Sequence, residues 1–482
     1  MDHLEVALAA RALREGRAFR KAAFRHRCLS ENPIALVLYQ LGAEPFSAAA
    51  IGFGHCKSDF NLIVAGEPRN RDLAFAALQR LAQWFNTMFE NAAAHRETVP
   101  NRNREQTRAN TAPQVIVANS ATIEMIGRLG RRLAYLPLTG PRPASAELVR
   151  LGQHFLFLHR HAGTPGQQLI VSMTDLLNEH WVTPQSPMER QSLAALYAYI
   201  APPPGLHGYE AAASAERIAI GPLPDGDDDE KLDPLVQEFN GRRNGSTAPS
   251  VIAPLLAPIA SHYRPLVRRT WDLLWTCRDR EAGWQQAPSV PRRWDDDRQA
   301  YTDHVDWTLR GGHRRTRLTP RQAAMLMRKL EEAQAIVAAE QASDDPLLIV
   351  SDLLDEKAVQ GWVLRVDETH QEIVNVRAAR RPLVTISSPD PCLMPHGKEL
   401  WWTRTPGSPP YVIVDVRAGP NQHVLITLKL TTSSRIQLPR TGETACFSAH
   451  TTRTHWFAAL PPSTPWTHRP SSPPTPAPIE DE

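Results

Sequence analysis

The sequence predicts an α+β multidomain protein: a small N-terminal sheet with covering helices, a central all-α, tryptophan-rich bundle, and a C-terminal small β-barrel or bent antiparallel sheet. Three observations carry this. Residues 34–66 hold three short apolar runs, which are followed by a helix-period segment. Residues 251–345 keep a helical period throughout, and beyond residue 346 the period shifts to two. A chain of 482 residues with 42% hydrophobic side chains can bury more than one core.

In chain order, residues 4–27 read as one amphipathic helix, with Leu4, Ala7, Leu8, Ala12 and Phe19 near helical spacing. The runs "IALVLYQL", "SAAAIGFG" and "FNLIVAG" read as strands between Gly, Pro and Asp/Ser signals. A helix from about Arg71 to Asn91 carries Ala74, Leu78, Leu81, Phe85 and Met88 on one stripe able to cover that sheet. The polar stretch "HRETVPNRNREQTRANTAP" has no apolar period and reads as an exposed loop with Arg96, Arg102, Arg104 and Arg108. Helical patterns then run to Ile200, with Ser120 and Ser145 as candidate caps and "QQLIVSMTDLL" open between strand and helix.

Residues 201–250 supply the Pro, Gly and acidic runs of a connecting segment between domains 1–200 and 251–345. The sharpest helix start lies in the latter, where Thr319 can be N-cap, Pro320 sits at the first helical position, and Gln322 can complete a capping box. Domain 346–457 alternates short strands with Gly, Pro and Asp turns. Residues 458–482 form a Pro-rich tail with too little to bury, expected to be disordered.

Charge and cysteine usage narrow the function classes. A formal charge of +3 and a pI near 8.6 are too mild for wholesale coating of nucleic acid, so local clusters must carry any such role. The five cysteines are odd in number and widely spaced, with no C-x-x-C, which argues against a disulfide framework or zinc knuckle and fits a reducing, cytoplasmic setting. Scattered charges at the N-terminus and the interruption of "IALVLYQLGAEPFSAAAIGFG" by Gln40, Glu44 and Pro45 argue against a signal peptide and a spanning helix, so no membrane role is expected. No G-x-S-x-G, H-E-x-x-H or G-x-x-x-x-G-K-[ST] occurs, and no cofactor is expected. His154, His159 and His161 lack ligand spacing, and "DGDDDE" and "WDDDR" lack the pattern of a calcium loop.

Two basic foci remain as candidate phosphate sites. In "AGEPRNRD" a strand ending at Gly66 feeds a helix near Asn70, whose N-terminal N–H groups and positive dipole end attract anions. Arg69 and Arg71 sit at this join, and Glu67 and Asp72 could instead neutralise them from within. The second focus, "RGGHRRTRLTPRQ", crowds Arg310, His313, Arg314, Arg315, Arg317 and Arg321 before the well-marked helix. Upstream, Trp271, Trp275, Trp284, Trp294, Tyr301 and Trp307 could stack unpaired bases or could be core residues, and Trp362, Trp401, Trp402 and Arg404 could form a face on the barrel.

The spacing G-E-x-R-x-R after an apolar strand resembles the phosphate-contacting box of ParB-like partition proteins, where a related strand, turn and helix bind nucleotide phosphates. The likeness covers about ten residues, with Pro68 where those proteins usually have a further arginine and Asp72 in place of a small residue. A nuclease template would use Asp59 and Glu67 as metal carboxylates, but it offers Arg69 where a lysine is usual. The leading expectation is therefore a non-enzymatic, nucleic-acid-associated protein, an accessory binding subunit of a larger machine, with a protein partner. A protein-interaction scaffold is the alternative, and a metal-dependent nuclease or nucleotide-processing enzyme ranks behind both.

Overall fold

The computed structural model describes residues 3–42, 44–101, 104–312 and 317–453. The chain opens with helix α1 (His3–Glu15), a short strand β1 (Phe19–Arg20), and three strands β2 (Ile34–Leu41), β3 (Glu44–Gly54) and β4 (Asn61–Val64). Helix α2 (Arg71–Asn91) leads to a hairpin of β5 (Arg96–Asn101) and β6 (Arg104–Ala109). Strand β7 (Val115–Val117), helices α3 (Ser120–Ala134) and α4 (Ala146–Ala162), strand β8 (Ile170–Ser172), helix α5 (Met173–His180) and strand β9 (Trp181–Val182) follow. The main sheet has the order β4-β3-β2-β7-β8, with β3 antiparallel to β2 and β4, and β7 and β8 parallel to β2.

Both faces of this sheet are covered because successive side chains of a strand point to opposite faces. From β2, Leu36 and Leu38 enter a core with Leu78, Leu81 and Phe85 of α2, Ile126 and Leu129 of α3, and Leu151 and Phe155 of α4. Val37 and Tyr39 enter the opposite core. That second core is closed by elements far along the chain: helices α6 (Leu193–Ile200), α7 (Gly208–Ala215), α8 (Gly226–Arg243), α9 (Pro249–Leu255) and α10 (Ala257–Ala282). From α10, Tyr263, Val267, Trp271 and Leu274 pack against Val37, Tyr39 and Val64. Helix α11 (Val290–Leu309) returns to the first face, where Tyr301 and Val305 join Phe89 and Phe155. The tryptophan-rich helices thus lie on the sheet and complete its two cores.

Helix α12 (Pro320–Asp344) and helix α13 (Pro346–Leu354) connect to the C-terminal strands β10 (Ala358–Asp367), β11 (Gln371–Val374), β12 (Arg377–Arg380), β13 (Leu383–Ser388), β14 (Glu399–Trp402), β15 (Tyr411–Ala418), β16 (Val424–Leu430) and β17 (Thr444–Ser448). Six of them close a barrel in the order β10-β13-β16-β15-β14-β17, while β11 and β12 form a separate hairpin. Val363, Ile386, Trp402, Tyr411, Ile426, Leu428 and Phe447 fill its interior. At the join to the body, the buried Asp345 carboxylate accepts from the N–H groups of Ala23 (2.8 Å) and Phe24 (3.1 Å), from His26 Nε2 (2.9 Å), and from the N–H groups of Leu347 and Leu348.

The mixed α+β architecture, the N-terminal sheet and the C-terminal barrel agree with the sequence reading. Helix α12 starts as the motif predicts: Thr319 Oγ1 accepts from Gln322 N–H at 3.3 Å, and Thr319 N–H donates back to Gln322 Oε1 at 3.0 Å. Other local expectations need correction. The first helix stops at Glu15 rather than running to residue 27, because Gly16 turns to φ +64° with its Cα against His207. Arg96–Ala109 is a paired hairpin, not a loop, clamped by Arg96–Asp306, Arg108–Asp295 and Arg298–Glu97 ion pairs. In the segment read as a connector, Leu232 and Phe239 of α8 are core residues. Ser145 does cap α4, but the cap of α3 is Asn119. The tail from residue 454 lies outside the described residues.

Candidate nucleic-acid interface

The join after β4 is filled from within. Asn70 caps α2, its Oδ1 accepting from Asp72 N–H at 3.0 Å and Leu73 N–H at 3.2 Å. Glu67 Oε1 accepts from Arg69 N–H at 3.1 Å, and its other oxygen accepts from Asn240 of α8 at 3.0 Å. These contacts take up the N–H groups that an anion would need. Arg69 itself lines a cavity of about 250 Å³ together with Glu67, Asp229, Glu230 and Asp233. Four carboxylates around one guanidinium repel a phosphate, so the ParB-like spacing does not assemble a phosphate pocket at Arg69.

Arg71 points elsewhere. Its guanidinium donates to the Arg142 carbonyl at 3.2 Å and lies 5.1 Å from the centre of the Phe75 ring, which Arg132 also approaches at 5.8 Å. Two guanidinium groups sharing one aromatic ring concentrate positive charge at the start of α2. The sequence reading missed Arg132 and Arg142, because their approach depends on the packing of α3 beside α2.

The second focus lies at the other end of α2. Arg96, just beyond that helix, grips Asp306 and holds its carboxyl below the usual carboxylate range. Arg310, exposed, donates to the Asp306 carbonyl at 2.9 Å. Helix α2 spans 21 residues, about 30 Å at 1.5 Å per residue, so Arg71 and Arg310 cannot grip one small anion. Arg317 and Arg321 are exposed and carry no hydrogen bond or ion pair among the described residues. Arg314 and Arg315, with His313, fall outside the described residues.

Around this focus the body arginines are neutralised. Arg292 and Arg293 share Glu340, Arg298 binds Asp295 at 2.5 Å, and Arg108 binds Glu97 at 2.8 Å. Arg317 and Arg321 differ from all of these.

The aromatics proposed for stacking are mostly core. Trp271, Trp275 and Tyr301 are buried, and Trp294 packs against the core on the α2 face. Trp284 is partly exposed, but the Arg20 guanidinium already lies 3.4 Å over its ring. On the barrel, Trp401 and Trp402 are both buried, whereas Trp362 is 53% exposed on β10.

Asp59 and Glu67 stand at opposite ends of β4, so they cannot share a metal ion. Among the described residues no group of three or more His, Cys, Asp or Glu side chains is placed to hold a metal. His154 pairs with Glu90 and His304, and burial pushes its imidazole below the ordinary range. All five cysteines are free. Among the described residues no helix is long and apolar enough to cross a membrane. No family model, curated protein or solved structure matches the chain.

Proposed function

We propose that this chain is a non-enzymatic, cytoplasmic, nucleic-acid-associated protein, an accessory binding subunit of a larger nucleic-acid machine. The observation that supports it most is the contrast between paired body arginines and the exposed Arg317 and Arg321, which carry no ion pair among the described residues and follow Arg310 in sequence. Unpaired guanidinium groups at a helix start attract phosphate, and each phosphate contact releases condensed counterions. Arg71 with Arg132 adds a second positive point about 30 Å away, the length of α2, a spacing that only an extended polyanion could bridge.

The test is the salt dependence of oligonucleotide binding. Replacing Arg310, Arg317 and Arg321 together by alanine should reduce the slope of log K against log salt by about 2–3, at about 0.7–0.9 per phosphate contact. An unchanged slope refutes the assignment.

A second reading, a protein-interaction scaffold, rests on the exposed Met325, Leu326 and Met327 in the first half of α12. Of these, Leu326 lies at helical spacing from Ala333 and Val337, which line a cavity with Arg293 and Asp297, while Met325 and Met327 flank it. A partner that protects these side chains, with no retention of the chain on a nucleic-acid column, would favour this reading.

A further inference from the structure

The main sheet has a point where its connections diverge. From the carboxyl end of β2 the chain turns to β3 on one side, while β7, on the other side, continues outward through α3 and α4 to β8. In open α/β sheets, ligands bind in the crevice outside the carboxyl ends of strands at such a point. Here that crevice is a cavity of about 350 Å³, within the range of small-molecule sites.

Gln40, near the end of β2, lines it. The register between β2 and β3 shifts on both sides of Gln40, an irregularity of the kind that re-aims a side chain. Gln40 is only 5% exposed, yet its carboxamide has no hydrogen-bond partner among the described residues. Its amide atoms are not sealed from solvent, so a ligand in the cavity would exchange water for a fixed partner at Gln40. Asn119, at the end of β7, binds the Gly221 carbonyl at 2.8 Å, and Gln40 N–H binds that of Pro222 at 2.8 Å. These two bonds fix the segment that carries Pro222 and Leu223 as one wall. Met125 adds apolar surface, and Glu124 and Arg128 of α3 supply charge.

We infer that the cavity at the carboxyl ends of β2 and β7 binds an adenine nucleotide. The carboxamide of Gln40 presents a donor beside an acceptor, the complement of the adenine N6 and N7 edge. Guanine offers two acceptors on that edge, and a carboxamide can satisfy only one. Met125, Pro222 and Leu223 offer apolar surface to the ring, Glu124, one of whose oxygens is bound to His159 at 3.2 Å, keeps its other oxygen for ribose hydroxyls, and Arg128 adds positive charge on the phosphate side. The same chemistry serves a free nucleotide and an unpaired adenine in a strand. The inference is independent of the arginine focus at Arg310–Arg321, and the triple arginine variant should bind AMP as the native chain does.

Calorimetry on the full chain tests it with AMP, GMP, adenosine and oligoadenylate. AMP or oligoadenylate should bind at least about tenfold tighter than the guanine counterpart, and Gln40→Met should erase that preference. Arg128→Ala should weaken AMP but not adenosine. Leu223→Trp, which fills the cavity while leaving Gln40 itself unchanged, should abolish binding and guards against a misfolded Gln40 variant. Binding of AMP alone identifies a free nucleotide, and binding of oligoadenylate alone identifies a strand; either supports the site. No binding of any adenine ligand at about 1 mM, or full binding by Gln40→Met and Leu223→Trp, overturns it.

Discussion

Replacing Glu281 by alanine should cost about 3–5 kcal/mol of folding stability. Glu281 and His180 are fully buried; the carboxylate accepts from His180 Nδ1 at 2.7 Å and from Trp181 Nε1 at 2.9 Å. His180 Nε2 accepts from His26 N–H at 3.3 Å, which places the imidazole proton on Nδ1, toward Glu281. Truncation leaves two buried donors unpaired, at about 1–3 kcal/mol each. Glu281→Gln keeps one acceptor and should lose about half as much. Burial pushes this carboxyl up, but the His180 and Trp181 hydrogen bonds and the Arg20 charge outweigh it and hold it below its ordinary 4.5. A depressed folded pKa means the stabilisation is complete above that ordinary value and is lost as pH falls through the folded one. The gap between native chain and Glu281→Gln should therefore be widest at neutral pH and narrow below about pH 4.5. Urea titrations from about pH 7 to about pH 3 measure it. A loss under about 1 kcal/mol for Glu281→Ala, or a gap indifferent to pH, refutes the reasoning.

Three further outcomes are expected. Asp345→Ala strips the acceptor from Ala23, Phe24 and His26, and should cost about 3–5 kcal/mol, with hydrogen-exchange protection lost at Ala23 and Phe24; retained protection contradicts this. Gly152→Ala places a Cβ 2.3 Å from the Ala134 backbone nitrogen at the α3–α4 crossing, and a loss of about 1–3 kcal/mol should appear in thermal melts; an unaltered melt means the helices separate freely. Trp362→Ala should leave stability within about 0.5 kcal/mol, being a surface change, yet weaken single-stranded oligonucleotide binding by about 1–3 kcal/mol if the barrel contributes a stacking platform; equal affinity removes the barrel from the interface.

What was legible in the chain follows from the range of the forces involved. Strands β2, β3 and β4 announce themselves through short, mostly apolar runs, and the start of α12 through three residues within one turn, Thr319, Pro320 and Gln322, acting locally. The β5–β6 hairpin carried no signal because its side chains are polar and its anchors, Asp295 and Asp306, lie about two hundred residues on. Arg69 looked available for the same reason: Asp229, Glu230 and Asp233 meet it only once α8 has docked. Gln40 reads in sequence as an interruption of an apolar run, and only the shifted register beside it reveals a role.

The placement of α10 and α11 on opposite faces of the sheet bears on how the chain is made. Val64 and Ala257 lie about 190 residues apart, so at about 5–20 residues per second a ribosome needs about 10–40 s to supply the missing covers. During that interval one greasy surface, that of Val37 and Tyr39, stays without its lid of Trp271 and Leu274. A nascent chain in that condition is a client for a holding chaperone, and fragments ending near residue 200 should clump when expressed alone.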